Sequence, residues 1–150
     1  MIKEIREVIG KDKLLTFASA SSARYYDFKA VEPYIHFVNI MTYDMGRPPY
    51  HNAPLSKSPH TKTLSVEESV DAHVVAGMPI GKLTLDLPFY GHGVKDKSDF
   101  LDYKDIASLV GYTEKWDTLA QVPYLVDAVG DFVYSFDNPR SLLLKCEYAL

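Results

Sequence analysis

The 150-residue sequence contains one cysteine, no long apolar run and no excess of basic charge, and each absence excludes a class of protein. The single cysteine, Cys146, cannot form an internal disulfide or a zinc site built on cysteines. We expect it to be a small buried residue of a helix. No segment approaches the roughly 20 apolar residues that span a membrane. The charged start, residues 1–10, does not resemble a secretory signal.

Charge and histidine spacing exclude further classes of site. The formal net charge of −4 argues against a nucleic-acid partner and against an anionic membrane surface. The five histidines show no metal-ligand spacing, so we predict no metal and no cofactor; they are His36, His51, His60, His73 and His92. The pattern Gly-x-Ser-x-Gly is absent, so a serine hydrolase of that type is not indicated.

Helical and strand patterns alternate in a chain that is 47% hydrophobic and 24% charged, a composition typical of a globular domain. Three predicted strands lie near 13–19, 35–43 and 82–90. Ser65 and Glu68 form a capping-box pattern at the start of a predicted helix. Alternation of this kind produces parallel strands with right-handed crossovers, so the predicted fold class is α/β. Three parallel strands do not close a barrel and would leave two unpaired edges.

The last third of the sequence has a different pattern. Residues 122–127 and 132–137 are predicted to form a β-hairpin that turns near Gly130. A closing helix follows, with Asn138 as its predicted N-cap and Pro139 in its first helical position.

The second predicted strand ends at two polar residues, Tyr43 and Asp44, and Gly46 then releases the chain into a polar, proline-rich loop. In parallel α/β architectures, ligands bind at the carboxyl ends of the strands. The pair would therefore contact a ligand, or it would satisfy backbone donors in a turn.

Several segments resemble glycoside hydrolase family 18, the chitinases and their relatives. Residues 37–46, Phe-Val-Asn-Ile-Met-Thr-Tyr-Asp-Met-Gly, resemble the sixth barrel strand of that family. Residues 82–91 resemble its seventh strand, which ends in Pro-Phe-Tyr-Gly, and residues 14–19 would be its fifth. Segments within 101–124 are similar to the small insertion after the seventh strand, and residues 132–141 to the return into the seventh helix. The motifs follow one another in the family's order across almost the whole chain.

The resemblance implies a partial (β/α)8 TIM barrel, about strands five to seven with their helices, plus a small α+β insertion. The implied division is a barrel segment at 1–93, an insertion at 94–137 and a return helix at 138–150. The family's fourth strand carries Asp-Gly-x-Asp-x-Asp-x-Glu, whose Glu is the general acid, and no such pattern occurs here. The chain would thus be the carboxyl-terminal half of a catalytic domain, starting after the fourth strand and ending before the eighth.

The family also implies a chemistry, substrate-assisted hydrolysis of β-1,4-linked N-acetylglucosamine glycans. There the 2-acetamido oxygen of the sugar attacks its own anomeric carbon. By resemblance, Tyr43 hydrogen-bonds the acetamido carbonyl and Asp44 contacts the distorted sugar. The implied substrate-binding residues are Met41, Tyr90 and His92.

Two positions depart from the family. His92 stands where the family often has an arginine, and Asp86 replaces a residue that is usually small. Because the acid is absent, two alternatives stay open: a non-catalytic carbohydrate-binding relative, and a half-domain that is inactive without a partner half or a second copy at its strand edges. Family members are mostly exported, and the motifs do not separate chitinases from endo-N-acetylglucosaminidases or peptidoglycan hydrolases.

Overall fold

A computed structural model describes residues 1–94 and 99–150 of the chain. Its helices are α1 (Ile2–Ile9), α2 (Phe28–Val31), α3 (Val66–Val75), α4 (Tyr103–Ile106) and α5 (Pro139–Ala149). Its strands are β1 (Thr16–Ala20), β2 (Phe37–Met41), β3 (Leu83–Asp86), β4 (Tyr90–Gly93), β5 (Leu101–Asp102), β6 (Thr113–Asp117), β7 (Val122–Val126) and β8 (Phe132–Ser135). Short 3-10 turns occupy Glu32–Tyr34 and Ile80–Lys82. Among these residues, no helix has the length and apolar character needed to cross a membrane.

The first sheet is parallel, with the strand order β1-β2-β3. One face packs under α2 and α3, because Val38 is fully buried in a cluster that includes Phe28 of α2, and Ala72 of α3 packs against that cluster. The opposite face is more polar. Asn39 and Thr84 are paired in register on that face, and the Thr84 hydroxyl donates to Asn39 Oδ1 over 2.6 Å. The side chains of the first sheet therefore separate into an apolar face under helices and a more polar face that carries Asn39 and Thr84.

Both predicted helix caps are confirmed. The Glu68 amide donates to Ser65 Oγ over 3.1 Å, and the Ser65 amide donates to Glu68 Oε2 over 2.9 Å. At the start of α5, the Ser141 amide donates to Asn138 Oδ1 over 3.0 Å, and the Asn138 amide donates back to Ser141 Oγ. These bonds satisfy amides that the first helical turn leaves free.

The second sheet is antiparallel, with the strand order β5-β4-β8-β7-β6. Its β7 and β8 form the predicted hairpin, which is confirmed. The core of this sheet consists of Ile106, Leu125, Val133, Tyr134 and Phe136. The sequence analysis did not predict β5 or β6 as strands.

The prediction of one continuous strand near 82–90 was wrong, because two separate strands, β3 and β4, occupy this part of the chain. The chain leaves the first sheet after Asp86, and β4, which begins at Tyr90, pairs with β5 and β8 instead. Pro88 has no N–H to donate to a ladder, so the strand breaks at the segment between β3 and β4. The second sheet thus begins at Tyr90. The division into ranges 1–93, 94–137 and 138–150 stays a prediction.

The expected burial of Cys146 was also wrong, because Cys146 is exposed. Its neighbour Lys145 is fully buried instead. Successive residues of an α-helix point about 100° apart, so turning Lys145 toward the protein turns Cys146 away from it.

Candidate functional site

The carboxyl ends of β2 and β3 lie side by side. Met41 and Asp86 are partners in register, so their side chains share the polar face of the first sheet. The Thr42 hydroxyl donates to the Asp86 carbonyl over 2.7 Å and ties the two strand ends together. Tyr43 follows next, and its ring packs edge-on against Tyr90, with 6.1 Å between ring centroids.

Asp44 has an unusual backbone conformation, with a φ of 56°. Aspartate tolerates this left-handed region better than most residues do, but the conformation still needs support. Asn52 supplies the support. Its side-chain Oδ1 accepts a hydrogen bond from the backbone N–H of Asp44 over 2.8 Å, and its backbone carbonyl accepts one from the backbone N–H of Met45 over 2.9 Å. The backbone N–H of Asn52 in turn donates to Ser135 Oγ over 2.6 Å. A loop residue thus links the end of β2 to β8.

Asn52 and Ser135 are site residues that the sequence analysis missed. Both are buried, and the segment 51–55 lies inside the protein although it was read as part of a polar loop. Asn52 binds groups 8 and 83 residues away in the chain. No local pattern could have revealed these bonds. A run of buried-type residues, Ala53-Pro54-Leu55, was the one available sign that this loop packs inward.

The Asp44 carboxylate is held by one oxygen. Oδ1 accepts hydrogen bonds from the Tyr90 hydroxyl over 2.6 Å and from His92 Nε2 over 2.8 Å. Oδ2 has no hydrogen-bond partner within residues 1–94 and 99–150, and the Asp44 side chain is 60% exposed. The carboxylate is therefore oriented by the protein while one of its oxygens is available to a ligand.

His92 lies behind Asp44 and is 4% exposed. Its Nδ1 is 2.8 Å from the carbonyl oxygen of Asp99, and its Nε2 faces Asp44. Both ring nitrogens are thus engaged by protein oxygens. Arg47 forms an ion pair with the Asp99 carboxylate beside this group.

The protonation states follow from these surroundings. Partial burial raises the pKa of Asp44, but the hydrogen bonds from His92 and Tyr90 and the nearby charges of His92 and Arg47 outweigh it, so the pKa of Asp44 is lowered. Burial, followed by the nearby Asp44 carboxylate, raises the pKa of Tyr90. At neutral pH, Asp44 is an anionic acceptor and Tyr90 a neutral donor.

Tyr43 and Asp86 extend this polar surface. Burial, Asp86 and then Asp44 raise the pKa of Tyr43, so its hydroxyl stays a neutral donor. That hydroxyl has no hydrogen-bond partner in the described part of the chain. Burial also raises the pKa of the Asp86 carboxyl, which lies close enough to Tyr43 to act on it.

Two further histidines, His51 and His60, pack against each other in the loop between the two sheets. His51 is 1% exposed, and its Nε2 lies 3.0 Å from Asp117 Oδ2. Burial lowers the pKa of His51, although Asp117 acts in the opposite direction. His60 lies edge-on against the His51 ring, and its Nδ1 lies 2.8 Å from the Pro49 carbonyl. Within the described residues, no group of three or more side chains could hold a metal ion.

The structure brings the five predicted site residues to one region. Asp44 bonds directly to Tyr90 and His92, and Tyr43 packs on Tyr90. Met41 lies at the same strand end, on the face shared with Asp86. Asp44 also lines a cleft at the ends of β1 and β2, together with Ser21, Arg24, Tyr25 and Met45, among others. Within the described residues, the Tyr43 hydroxyl and Asp44 Oδ2 have no protein partner, so both can bind a polar ligand.

Comparisons with known proteins identify the family. The model of Glycosyl hydrolases family 18 matches residues 1–150. Chitinase A1 of Niallia circulans is 30% identical over 195 aligned residues, which cover 99% of this chain and 28% of that protein. The solved structure of Chitinase ChiA74 from Bacillus thuringiensis superposes with a TM-score of 0.87 at 26% identity, over 98% of this chain and 32% of that one. The Group IV chitinase of Ostrinia furnacalis, solved in complex with allosamidin, has a TM-score of 0.83 at 28% identity, over 99% and 50% of the two chains.

Proposed function

The chain belongs to family 18 of the glycosyl hydrolases, and on this basis we propose that Tyr43, Asp44 and Tyr90 hold a 2-acetamido sugar of a β-1,4-linked N-acetylglucosamine glycan. The main supporting observation is the Asp44 carboxylate, which is fixed through Oδ1. Among the residues that the structure describes, neither its Oδ2 nor the Tyr43 hydroxyl has a hydrogen-bond partner. The partial TIM barrel implied by the motifs belongs to the same proposal. The chain spans 28% of the length of Chitinase A1, so the activity of a whole enzyme is part of the proposal as well.

Tyr43 suits the acetamido carbonyl. Its hydroxyl stays protonated at neutral pH because burial, followed by the nearby Asp86 and Asp44 carboxyl groups, raises its pKa, so it can donate to the sugar. A donor on the carbonyl oxygen holds the acetamido group in line with the anomeric carbon. Such alignment lowers the barrier because the reacting atoms no longer need to find one another.

Asp44 suits the opposite end of the acetamido group. As the acetamido oxygen attacks, positive charge grows on the group, and an oriented anion close to it is stabilising. The free Oδ2 can accept a hydrogen bond from the sugar while Tyr90 and His92 keep the carboxylate from turning. Met41 supplies an apolar part of the wall beneath the sugar ring.

The proton donor of the reaction is not among these residues in our proposal. Asp44 is ionised at neutral pH and cannot donate, and the family's Asp-Gly-x-Asp-x-Asp-x-Glu pattern does not occur in the 150 residues. These residues therefore provide the substrate-holding wall. Binding of a chito-oligosaccharide without turnover is the expected behaviour of the chain by itself.

Calorimetric titration with N-acetylchitotetraose tests the proposal. We expect binding, and we expect much weaker binding of the de-N-acetylated tetramer, because the acetamido group is the recognised feature. Replacing Tyr43→Phe removes one hydroxyl and should weaken binding of the acetylated sugar about five- to tenfold, the usual worth of one hydrogen bond. The matched control is Tyr148→Phe on α5, which should leave the affinity unchanged.

Two results would contradict the proposal. Equal affinity for acetylated and de-N-acetylated tetramers would exclude acetamido recognition. Hydrolysis of a chromogenic chitobioside by the purified chain would show that a proton donor is present after all.

A further inference from the structure

His92 has acceptors at both ring nitrogens. Nδ1 is 2.8 Å from the Asp99 carbonyl oxygen, and Nε2 is 2.8 Å from Asp44 Oδ1. A carbonyl oxygen can only accept a hydrogen bond, so Nδ1 must carry a proton. An ionised carboxylate can also only accept, so Nε2 must carry a proton too. Both bonds can exist together with an ionised Asp44 only when the ring is the imidazolium cation.

The surrounding charges favour the same state. The charged groups that face His92 from the described elements are Asp44 after β2, Asp99 before β5, and Arg47, which pairs with Asp99. The Asp99 carboxylate is 3.8 Å from His92 Nδ1. Tyr90 also packs on the ring but is neutral. Among the described residues, these two carboxylates and one guanidinium make an imidazolium a favourable neighbour.

The buried position of His92 argues against direct sugar contact. The ring is 4% exposed, and each nitrogen is occupied by a protein oxygen. Its effect on a ligand must therefore pass through Asp44. Removing the Nε2 hydrogen bond would leave Oδ1 with Tyr90 as its one donor from the described residues, and the carboxylate could then rotate about its χ2 torsion.

We propose that His92 is the positioning residue of Asp44: its Nε2 holds Oδ1 in place and leaves Oδ2 to the sugar. The proposal rests on the function proposed above, since the ligand of Asp44 is taken to be a 2-acetamido sugar. Binding is strongest while both hydrogen bonds of the ring are made, because one fixes the ring and the other fixes Asp44. When the bond to Asp44 is lost, the carboxylate is held less firmly.

Nuclear magnetic resonance tests the pair without any ligand. The carboxyl carbon signal of Asp44 is compared between the wild type and the His92 variants at one neutral pH. We expect the signal to move in His92→Gln, which loses the ring, and to return toward its wild-type position in His92→Arg, which keeps a donor. The control His36→Gln should leave the signal unchanged.

Sugar titrations at the same pH supply the functional test. The affinity for N-acetylchitotetraose should fall about tenfold in His92→Gln, the usual effect of one charge-assisted hydrogen bond. His92→Arg keeps a cationic donor and should recover most of the affinity. His36→Gln removes a histidine at the other end of β2 and should keep the wild-type affinity. Thermal unfolding of each variant shows that it is folded.

The outcomes separate the two proposals. An Asp44 signal that does not change in His92→Gln, or an equal loss of affinity in His92→Gln and His92→Arg, would overturn the role of His92 even if the sugar binds to the wild type. If no sugar binds to the wild type while the Asp44 signal changes in His92→Gln, the pair is established and the proposed ligand is wrong.

Discussion

Lys145 is a fully buried lysine on the inner side of α5. Its Nζ lies 2.6 and 2.7 Å from the two carboxylate oxygens of Asp137, and the Ser141 hydroxyl donates to the same carboxylate over 2.6 Å. Burial lowers the pKa of Lys145, while Asp137 favours its charged form. A buried charge without a partner costs several kcal/mol, so each member of the pair depends on the other.

Asp137→Asn should therefore reduce the free energy of unfolding by about 3–5 kcal/mol, because it leaves the Lys145 ammonium buried without a counter-charge. Urea denaturation measures the loss. The double variant Asp137→Asn with Lys145→Met should recover part of it, since no unpaired charge remains. Glu7→Gln, which breaks the exposed Lys3–Glu7 pair, is the control and should cost about 0.5 kcal/mol or less. A cost below about 1 kcal/mol for Asp137→Asn would contradict this account.

At the scale of elements, β4 carries two of the five predicted site residues, Tyr90 and His92, with Gly91 between them. A Cβ added at Gly91 would lie 2.4 Å from the Ser135 carbonyl oxygen and 2.7 Å from Ile106 Cδ1 and Phe136 Cβ. These distances are shorter than any real Cβ contact, so β4 can lie this close to β8 only with a glycine at position 91. The close approach places the two side chains against Asp44.

Gly91→Ala should accordingly push β4 away from β8. We expect a loss of about 1–3 kcal/mol in the free energy of unfolding, the usual cost of overpacking, together with weaker sugar binding. Gly81→Ala is the matched control, because a Cβ there meets nothing within 4 Å. Chemical denaturation and the calorimetric titration check both effects. Wild-type stability in Gly91→Ala would show that β4 shifts without cost.

At the scale of the whole molecule, the first sheet has open edges. Among the described residues, β1 and β3 each pair with β2 alone. Beside the β3 edge, an apolar groove is lined by Ile80, Leu83, Leu85, Tyr148 and Leu150. Ile80 is 71% exposed. Unpaired strand edges next to apolar surface favour association between chains.

We expect the purified chain to self-associate as its concentration rises, which sedimentation velocity would detect. Ile80→Lys places a charge beside the β3 edge and should reduce the association. Val129→Lys, at the exposed turn between β7 and β8, adds the same charge away from this edge and should have no effect. A monodisperse monomer at all concentrations, with a cooperative thermal transition, would contradict the expectation.

Much of the fold could be predicted because its signals are local. The capping pattern of Ser65 and Glu68 and the Asn138-Pro139 start of α5 both lie within one helical turn, and both were confirmed. The β7–β8 hairpin also depends on neighbouring residues. The break between β3 and β4 was missed although Pro88 marks it, because the family motif runs through it without interruption.

The sequence by itself determined the family and the identities of Tyr43 and Asp44 at the end of a strand, because those depend on residue type and order. The tertiary structure decided how the site is held. Asn52 fixes the Asp44 backbone, and Tyr90 and His92 fix one carboxylate oxygen. These contacts join residues 8 to 48 positions apart, and they form only because the loop after β2 and the strand β4 pack against the same strand end.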